Sequence, residues 1–181
     1  MNAYAGNDRL GTVTASRTVR IERLLPGPAE RIWAYLTESE KRRKWLAQGP
    51  MADHVGGDVE LTFHNEELAN EPVVDEYKKY EGKVNRGKVT RYEPPRILSF
   101  TWPASQGDPS EVTFELTPSG SDILLTVTHT RLGSSDSMVS VATGWHTHLA
   151  ALIAHLNGEK INGFWDSFRR LEVEYRKIIA G

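Results

Sequence analysis

The sequence contains no cysteine, which removes disulfides, thiolate zinc sites, iron–sulfur ligation and cysteine nucleophiles together. It has no run approaching the 18 or more apolar residues of a membrane span, and Met1–Leu10 lacks the basic start and apolar core of an export signal. A cytoplasmic protein without a membrane partner is therefore expected. Neither sign of charge dominates. With 22 Lys+Arg against 24 Asp+Glu and a net charge of -2, no global field draws the chain to a polyanion, and no nucleic-acid partner is expected. The one basic run, Lys41-Arg42-Arg43-Lys44, precedes Trp45 on a short amphipathic stretch and reads as a solvated face.

Catalytic signatures are scarce too. No Gly-x-Ser-x-Gly elbow, glycine-rich phosphate loop or dinucleotide fingerprint is present. His146, His148 and His155 share one helix, but the first two point roughly 200° apart and the last two are separated by roughly 10 Å along the axis. Asp53, His54 and His64 have no diagnostic spacing, so no metal is expected.

The patterning that is present describes one domain. Residues 1–16 are small and polar without a sustained apolar period and read as a disordered tail. Val19 and Ile21 alternate with Arg20 and Glu22 as a strand, which Pro26-Gly27-Pro28 ends. Ala29, Ile32, Trp33 and Leu36 then fall at i, i+3, i+4 and i+7, the stripe of a short helix. Thr37 and Glu40 form a capping-box pattern before a second short helix over 41–46. From Gly57 the period becomes two, and strands are predicted near 57–63, 84–92, 96–102, 110–117 and 123–131. Asn65–Gly82 is acidic and weakly periodic, a long excursion between strands. The strongest helix spans Ser137–Asn157, and Phe164–Ile179 is an appended helix with Phe164, Phe168, Leu171, Tyr175 and Ile178 on one side.

This is an α+β pattern: a curved antiparallel sheet of about six strands wrapped around a long C-terminal helix, with two short helices after the first strand. The carriers of a resemblance are Pro28-Ala29-Glu30-Arg31-Ile32-Trp33, Lys44-Trp45-Leu46, Gly56-Gly57-Asp58-Val59, the run Glu93 to Trp102, Thr128-His129-Thr130 and Thr143-Gly144-Trp145. In their order and spacing they resemble the helix-grip fold of the START-like, or SRPBCC, superfamily, in its activator-of-Hsp90-ATPase-homologue-like branch. The resemblance covers Arg17 to Gly158, so a helix-grip domain over 17–158 with a helical appendage over 159–181 is expected. It implies a shared container that serves lipid carriers, polyketide cyclases, hydroxylase subunits and resistance proteins, and it fixes no single activity. The excursion and the appended helix depart from the family pattern, and each could reshape or cover the pocket mouth.

Within such a container, Trp145 and Val141 and Leu149 on the long helix, and Phe63, Phe100, Trp102, Phe114 and Leu125 on inward strand positions, are the expected ligand-binding walls. His129 follows Ile123, Leu125 and Val127 at period two, so its imidazole faces inward as a polar anchor or a candidate acid or base; a histidine merely satisfied near a strand end is the commoner case. Trp33 and Trp45 could close one end but suit packing better, Arg131 suits a solvated rim, and His148, at the flank of the apolar stripe, could reach a pocket rim but suits solvent exposure better. The leading function is binding of a small, largely apolar or aromatic molecule without a cofactor. The first alternative is a polyketide cyclase-like or hydrolase-like enzyme using His129. The second is a protein-interaction or stress-related module in which the 164–179 helix docks on a second copy, giving a homodimer, or on another protein.

Overall fold

The computed structural model describes residues 6–69, 71–104 and 106–180. Seven antiparallel strands form one sheet in the order β1-β2-β7-β6-β5-β4-β3: β1 (Thr12–Ala15), β2 (Thr18–Pro26), β3 (Asp58–Thr62), β4 (Val84–Glu93), β5 (Ile97–Trp102), β6 (Ser110–Ser119) and β7 (Asp122–Thr130). The period-two pattern becomes burial directly. Val112, Phe114 and Leu116 of β6 face Leu125, Val127 and His129 of β7 across the ladder, and all six are buried. Helices α1 (Ala29–Thr37) and α2 (Ser39–Arg42) follow β2, α3 (Asn65–Ala69) and a 3-10 turn (Asp75–Tyr80) lie between β3 and β4, and α4 (Ser135–Leu156) and α5 (Phe164–Ile179) close the chain.

The inward faces of the sheet pack on α4, which buries Met138, Ala142, Trp145, Leu149, Leu152 and Leu156. Ser134 caps it, accepting from the Ser137 N–H at 3.1 Å. Gly158, at φ 71°, ends it in the left-handed conformation, with the Glu159 N–H returning to the Ala154 carbonyl at 2.8 Å. Burial on α4 extends beyond the apolar stripe to Thr143, His146, Thr147 and His148 because α5 covers its other flank. The amphipathic α5 contributes Phe164, Trp165, Phe168, Leu171 and Tyr175 to the interior. Burying each such side chain stabilises by roughly 1.5–3 kcal/mol before entropic costs.

Three expectations are corrected. Ordered structure begins earlier than the composition of residues 1–16 suggests: β1 pairs with β2, the Asn7 side chain brackets the Leu24 backbone with two 2.7 Å hydrogen bonds, and the Gly11 N–H donates to Tyr175 Oη at 2.7 Å. Residues 1–5 of that expected tail lie outside the described residues. β1 is the strand that raises the count from six to seven, and all four of its residues are exposed, so no burial period marked it; backbone pairing at a sheet edge suffices. Thr37 does not open a capping box. It ends α1, its hydroxyl donating back to the Trp33 carbonyl at 2.9 Å. Finally, the basic run is not wholly solvated. Arg42 is buried, and its guanidinium donates to the carbonyls of Leu36 (3.2 Å), Thr37 (2.9 Å) and Gly49, completing the open C-terminal end of α1.

Candidate functional site

Between the sheet and α4 lies a cavity of about 130 Å³. Gly144 and Trp145 of α4 border it, with Phe63 after β3 and Trp102 at the end of β5. Their rings meet edge to face, Trp102 with Trp145 at 5.4 Å and with Phe63 at 6.0 Å between centroids. Gly144 matters for space: a Cβ built there meets nothing within 4 Å, so the helix opens onto the cavity where any larger residue would begin to fill it.

The Trp145 indole is held rigidly. Its Nε1 donates to His129 Nδ1 at 3.0 Å, His129 Nε2 bonds Ser110 Oγ at 2.8 Å, and Ser110 Oγ donates to the Trp102 carbonyl at 3.3 Å. Because Nδ1 accepts, the neutral ring carries its hydrogen on Nε2 and donates it to Ser110. Every polar side-chain atom of Trp145, His129 and Ser110 has a partner. Full burial pushes the His129 pKa down to about 3, so the ring stays neutral. His129 is thus a positioning residue behind the cavity wall rather than a group on its surface, and it offers neither nitrogen to a ligand.

Four of the expected wall residues, Phe63, Trp102, Val141 and Trp145, border the cavity. Phe100, Phe114, Leu125 and Leu149 do not: they are the packed layer beneath, with Phe114 edge-on to Trp145 at 5.4 Å and Phe100 stacked on Phe114 at 5.9 Å. Trp33 packs edge-on to Tyr92, and Trp45 is fully buried with its indole donating to the Tyr35 carbonyl at 2.8 Å. Arg131 is exposed and 3.8 Å from Glu111. No group of three or more metal-ligating side chains occurs among the described residues.

The opposite end of the cavity is built from the two segments that depart from the sequence pattern. The excursion is closed at its neck, where the Phe63 N–H donates to the Lys83 carbonyl at 2.9 Å and the Gly82 N–H to the Phe63 carbonyl at 2.8 Å. Its Glu81 carboxylate accepts from the Asn65 and Glu66 N–H groups at 2.9 and 3.3 Å. α5 then locks onto it. Tyr77 stacks on Trp165 at 5.1 Å and meets Phe168 edge-on at 4.8 Å, Arg169 pairs with Glu76 at 2.7 Å, and Glu71 accepts from the Trp165 N–H at 3.1 Å. This clasp brings Tyr80, Phe164, Trp165 and Phe168 to the cavity, beside Asn65 and Asn85.

His148 also borders the cavity, buried where an exposed flank was expected, because α5 lies over that side of α4. Its Nδ1 lies 2.8 Å from the Trp45 carbonyl. A carbonyl only accepts, so Nδ1 carries the hydrogen and Nε2 is left with its lone pair. Burial lowers this pKa to about 4. Residue periodicity concealed these members: Asn85 is polar at an inward strand position opposite Leu61, a signal that was available, whereas Trp165 and His148 depend on how α5 docks.

A larger groove of about 740 Å³ lies along α4 and α5, bordered by His146, Asn157, Asn162 and Arg170. Its lining is mostly polar, with Phe164 as its one phenylalanine, unlike the aromatic walls that characterise small-molecule sites.

Comparison with known proteins agrees with the architecture. Residues 26–157 match the family described as activator of Hsp90 ATPase homolog 1-like protein. A Bordetella parapertussis protein encoded by gene BPP1335, solved in solution, is 41% identical, aligned over 92% of this chain and 88% of that one with a TM-score of 0.80. CalU16 from Micromonospora echinospora is 20% identical over 96% of this chain and 97% of that one, with a TM-score of 0.71. The Aha1 dimer from Colwellia psychrerythraea is 18% identical over 77% and 95%, with a TM-score of 0.58. No curated protein matches.

Proposed function

The chain belongs to the activator of Hsp90 ATPase homolog 1-like family, and we propose that it uses this fold to bind a small, largely apolar molecule in the cavity between sheet and α4. The observation that carries the reading is a space walled by Phe63, Trp102, Trp145 and Phe164 in an otherwise densely packed interior. An apolar space of this kind is costly to leave empty, since its lining forfeits dispersion contacts. Binding of this sort uses aromatic faces and needs no cofactor. The proposed setting is the cytoplasm; no described helix is long and apolar enough to cross a membrane.

Acid or base catalysis through His129 draws no support from its placement, because both nitrogens are engaged and the ring is fully buried behind Trp145. Docking of a second copy or another protein on α5 draws little. Its apolar side already packs within the chain, and Val173 and Ile178 are its large apolar residues left exposed among the described residues.

Native mass spectrometry of freshly purified protein, followed by organic extraction and by titration with toluene, tests the binding reading. A retained small molecule, or saturable toluene binding where the mass is bare, is the expected result. A bare mass together with no saturable toluene binding would overturn it.

A further inference from the structure

We propose that the cavity takes a small aromatic monocarboxylate, with the ring between the aromatic walls and the carboxylate at the mouth beside Lys83. The proposal rests on the reading that the cavity holds a ligand, and it names the polar group of that ligand. Register places the lysine. In the ladder of β3 with β4, Val59 opposes Gly87 and Leu61 opposes Asn85, and Val59, Leu61 and Asn85 are buried, so these rungs face the interior. One step further, the Gly82 N–H donates to the Phe63 carbonyl at 2.8 Å and the Phe63 N–H to the Lys83 carbonyl at 2.9 Å, with Gly82 at φ 69°. This is a glycine bulge in which Gly82 and Lys83 together oppose Phe63. Alternation back from Asn85 puts the Lys83 side chain on the same inner face as the Phe63 ring, as its cross-strand neighbour. Lys83 and Ser140 are the exposed residues on the cavity border, and they mark where it meets solvent. An ammonium at that place is open to a ligand atom.

Charge decides what that ammonium meets. Among the described residues, Lys83 carries the one full charge on the cavity border, and no Asp or Glu borders it. His148, the other base there, stays neutral because burial lowers its pKa to about 4. Lys83 forms no ion pair among the described residues. Its neighbour in sequence, Glu81, has its carboxylate engaged by the Asn65 and Glu66 N–H groups. The chain as a whole has a net charge of -2, so attraction for an anion is local to the mouth. One ammonium matches a monoanion, whereas a phosphate monoester would bring roughly -1.5 to -2 charges and leave part of them uncompensated. A carboxylate at the mouth keeps water on one side and escapes most of the desolvation penalty that a charge inside the cavity would meet. Behind it stand Phe63, Trp102, Trp145 and Phe164, and the volume of about 130 Å³ compares with the roughly 150 Å³ apolar cavity known to accept benzene. The space suits one ring.

Titration of the full chain with phenylacetate, phenylacetamide and toluene, followed by NMR, separates the proposal from the reading beneath it. Phenylacetamide matches phenylacetate in size and lacks its charge. At low ionic strength phenylacetate should bind roughly threefold to tenfold more tightly than phenylacetamide, the gain of one charge-assisted contact at a solvent-open site. That ratio should fall toward one at about 0.5 M salt, where exposed charges are screened. Lys83→Gln should bring the ratio to about one and Lys83→Glu should reverse it, while toluene affinity stays unchanged in both. Lys83 is exposed, so neither substitution touches the core; thermal melts confirm folding, and the wild-type salt dependence stands as a test by itself. Phenylacetamide binding as tightly as phenylacetate, or a ratio unmoved by salt or by Lys83→Gln, overturns the carboxylate assignment, and saturable toluene binding beside that result leaves the cavity reading intact. No saturable binding of toluene or of either phenyl compound overturns both.

Discussion

The two ends of the cavity treat their polar atoms in opposite ways. Around Trp145 the indole, the His129 ring and the Ser110 hydroxyl form a chain in which every donor finds an acceptor. Around Trp165 the indole and the Asn65 and Asn85 amide oxygens are as deeply buried and have no partner. Burial and residue type are alike at both ends; satisfaction is what differs. A closed network fixes geometry and rigidifies the wall, whereas buried atoms left without a partner cost stability. The histidines divide in the same way, His129 turned wholly into the network and His148 holding back one lone pair at the cavity.

The largest way to disturb both ends together is acid. His129 and His148 have pKa values lowered by burial to about 3 and about 4, and His146, hydrogen-bonded to Tyr175, is lowered to about 4. Between these values and the ordinary value of about 6.5, the unfolded chain holds protons that the folded chain refuses, so stability falls as pH drops below about 6.5. Each histidine contributes a slope of up to about 1.4 kcal/mol per pH unit until its folded value is reached. Urea unfolding from pH 7.5 to 4.5 should show this loss, with a shallower slope in His129→Leu. An unchanged midpoint across that range would contradict the burial of these rings.

The network end is expected to break more severely than the open end under the same kind of substitution. His129→Leu leaves the Trp145 N–H and the Ser110 hydroxyl without their partner and should lower stability by roughly 2–5 kcal/mol. Gly144→Leu acts through space, filling the cavity from α4 and abolishing toluene binding, while the helix itself gains roughly 0.5–1 kcal/mol from losing a glycine. Smallest is Asn85→Leu, which removes an unpartnered buried amide and should shift stability between zero and about 1 kcal/mol in the stabilising direction. Chemical denaturation of His129→Leu and Asn85→Leu side by side checks the contrast; equal losses would erase it.

The network end was legible in the sequence and the open end largely was not. Period two in β6 and β7 and period 3.6 in α4 placed Trp145, Trp102 and His129 on facing inward positions, because local backbone geometry dictates which side chains share a face. The same logic could not separate wall from underlying layer: Phe100, Phe114, Leu125 and Leu149 obey the same period as Phe63 and Val141, yet lie one layer deeper. Where segments 65–82 and 164–179 settle is a tertiary matter, decided by contacts such as Tyr77 on Trp165 and Arg169 on Glu76. No spacing within either segment announces the other. β1 was hidden for a different reason, being an exposed edge strand held by backbone pairing alone.

The most direct test follows the cavity wall and the network behind it as an apolar probe is added. In ¹H–¹⁵N spectra of the wild-type chain titrated with toluene, the backbone signals of Val141 and Gly144, which border the cavity, should shift and saturate, while the Trp145 Nε1–H, bonded to His129 behind the wall, should keep its protection from solvent exchange. Val141 and Gly144 signals that ignore toluene, or a Trp145 Nε1–H that exchanges freely with solvent, would contradict the account.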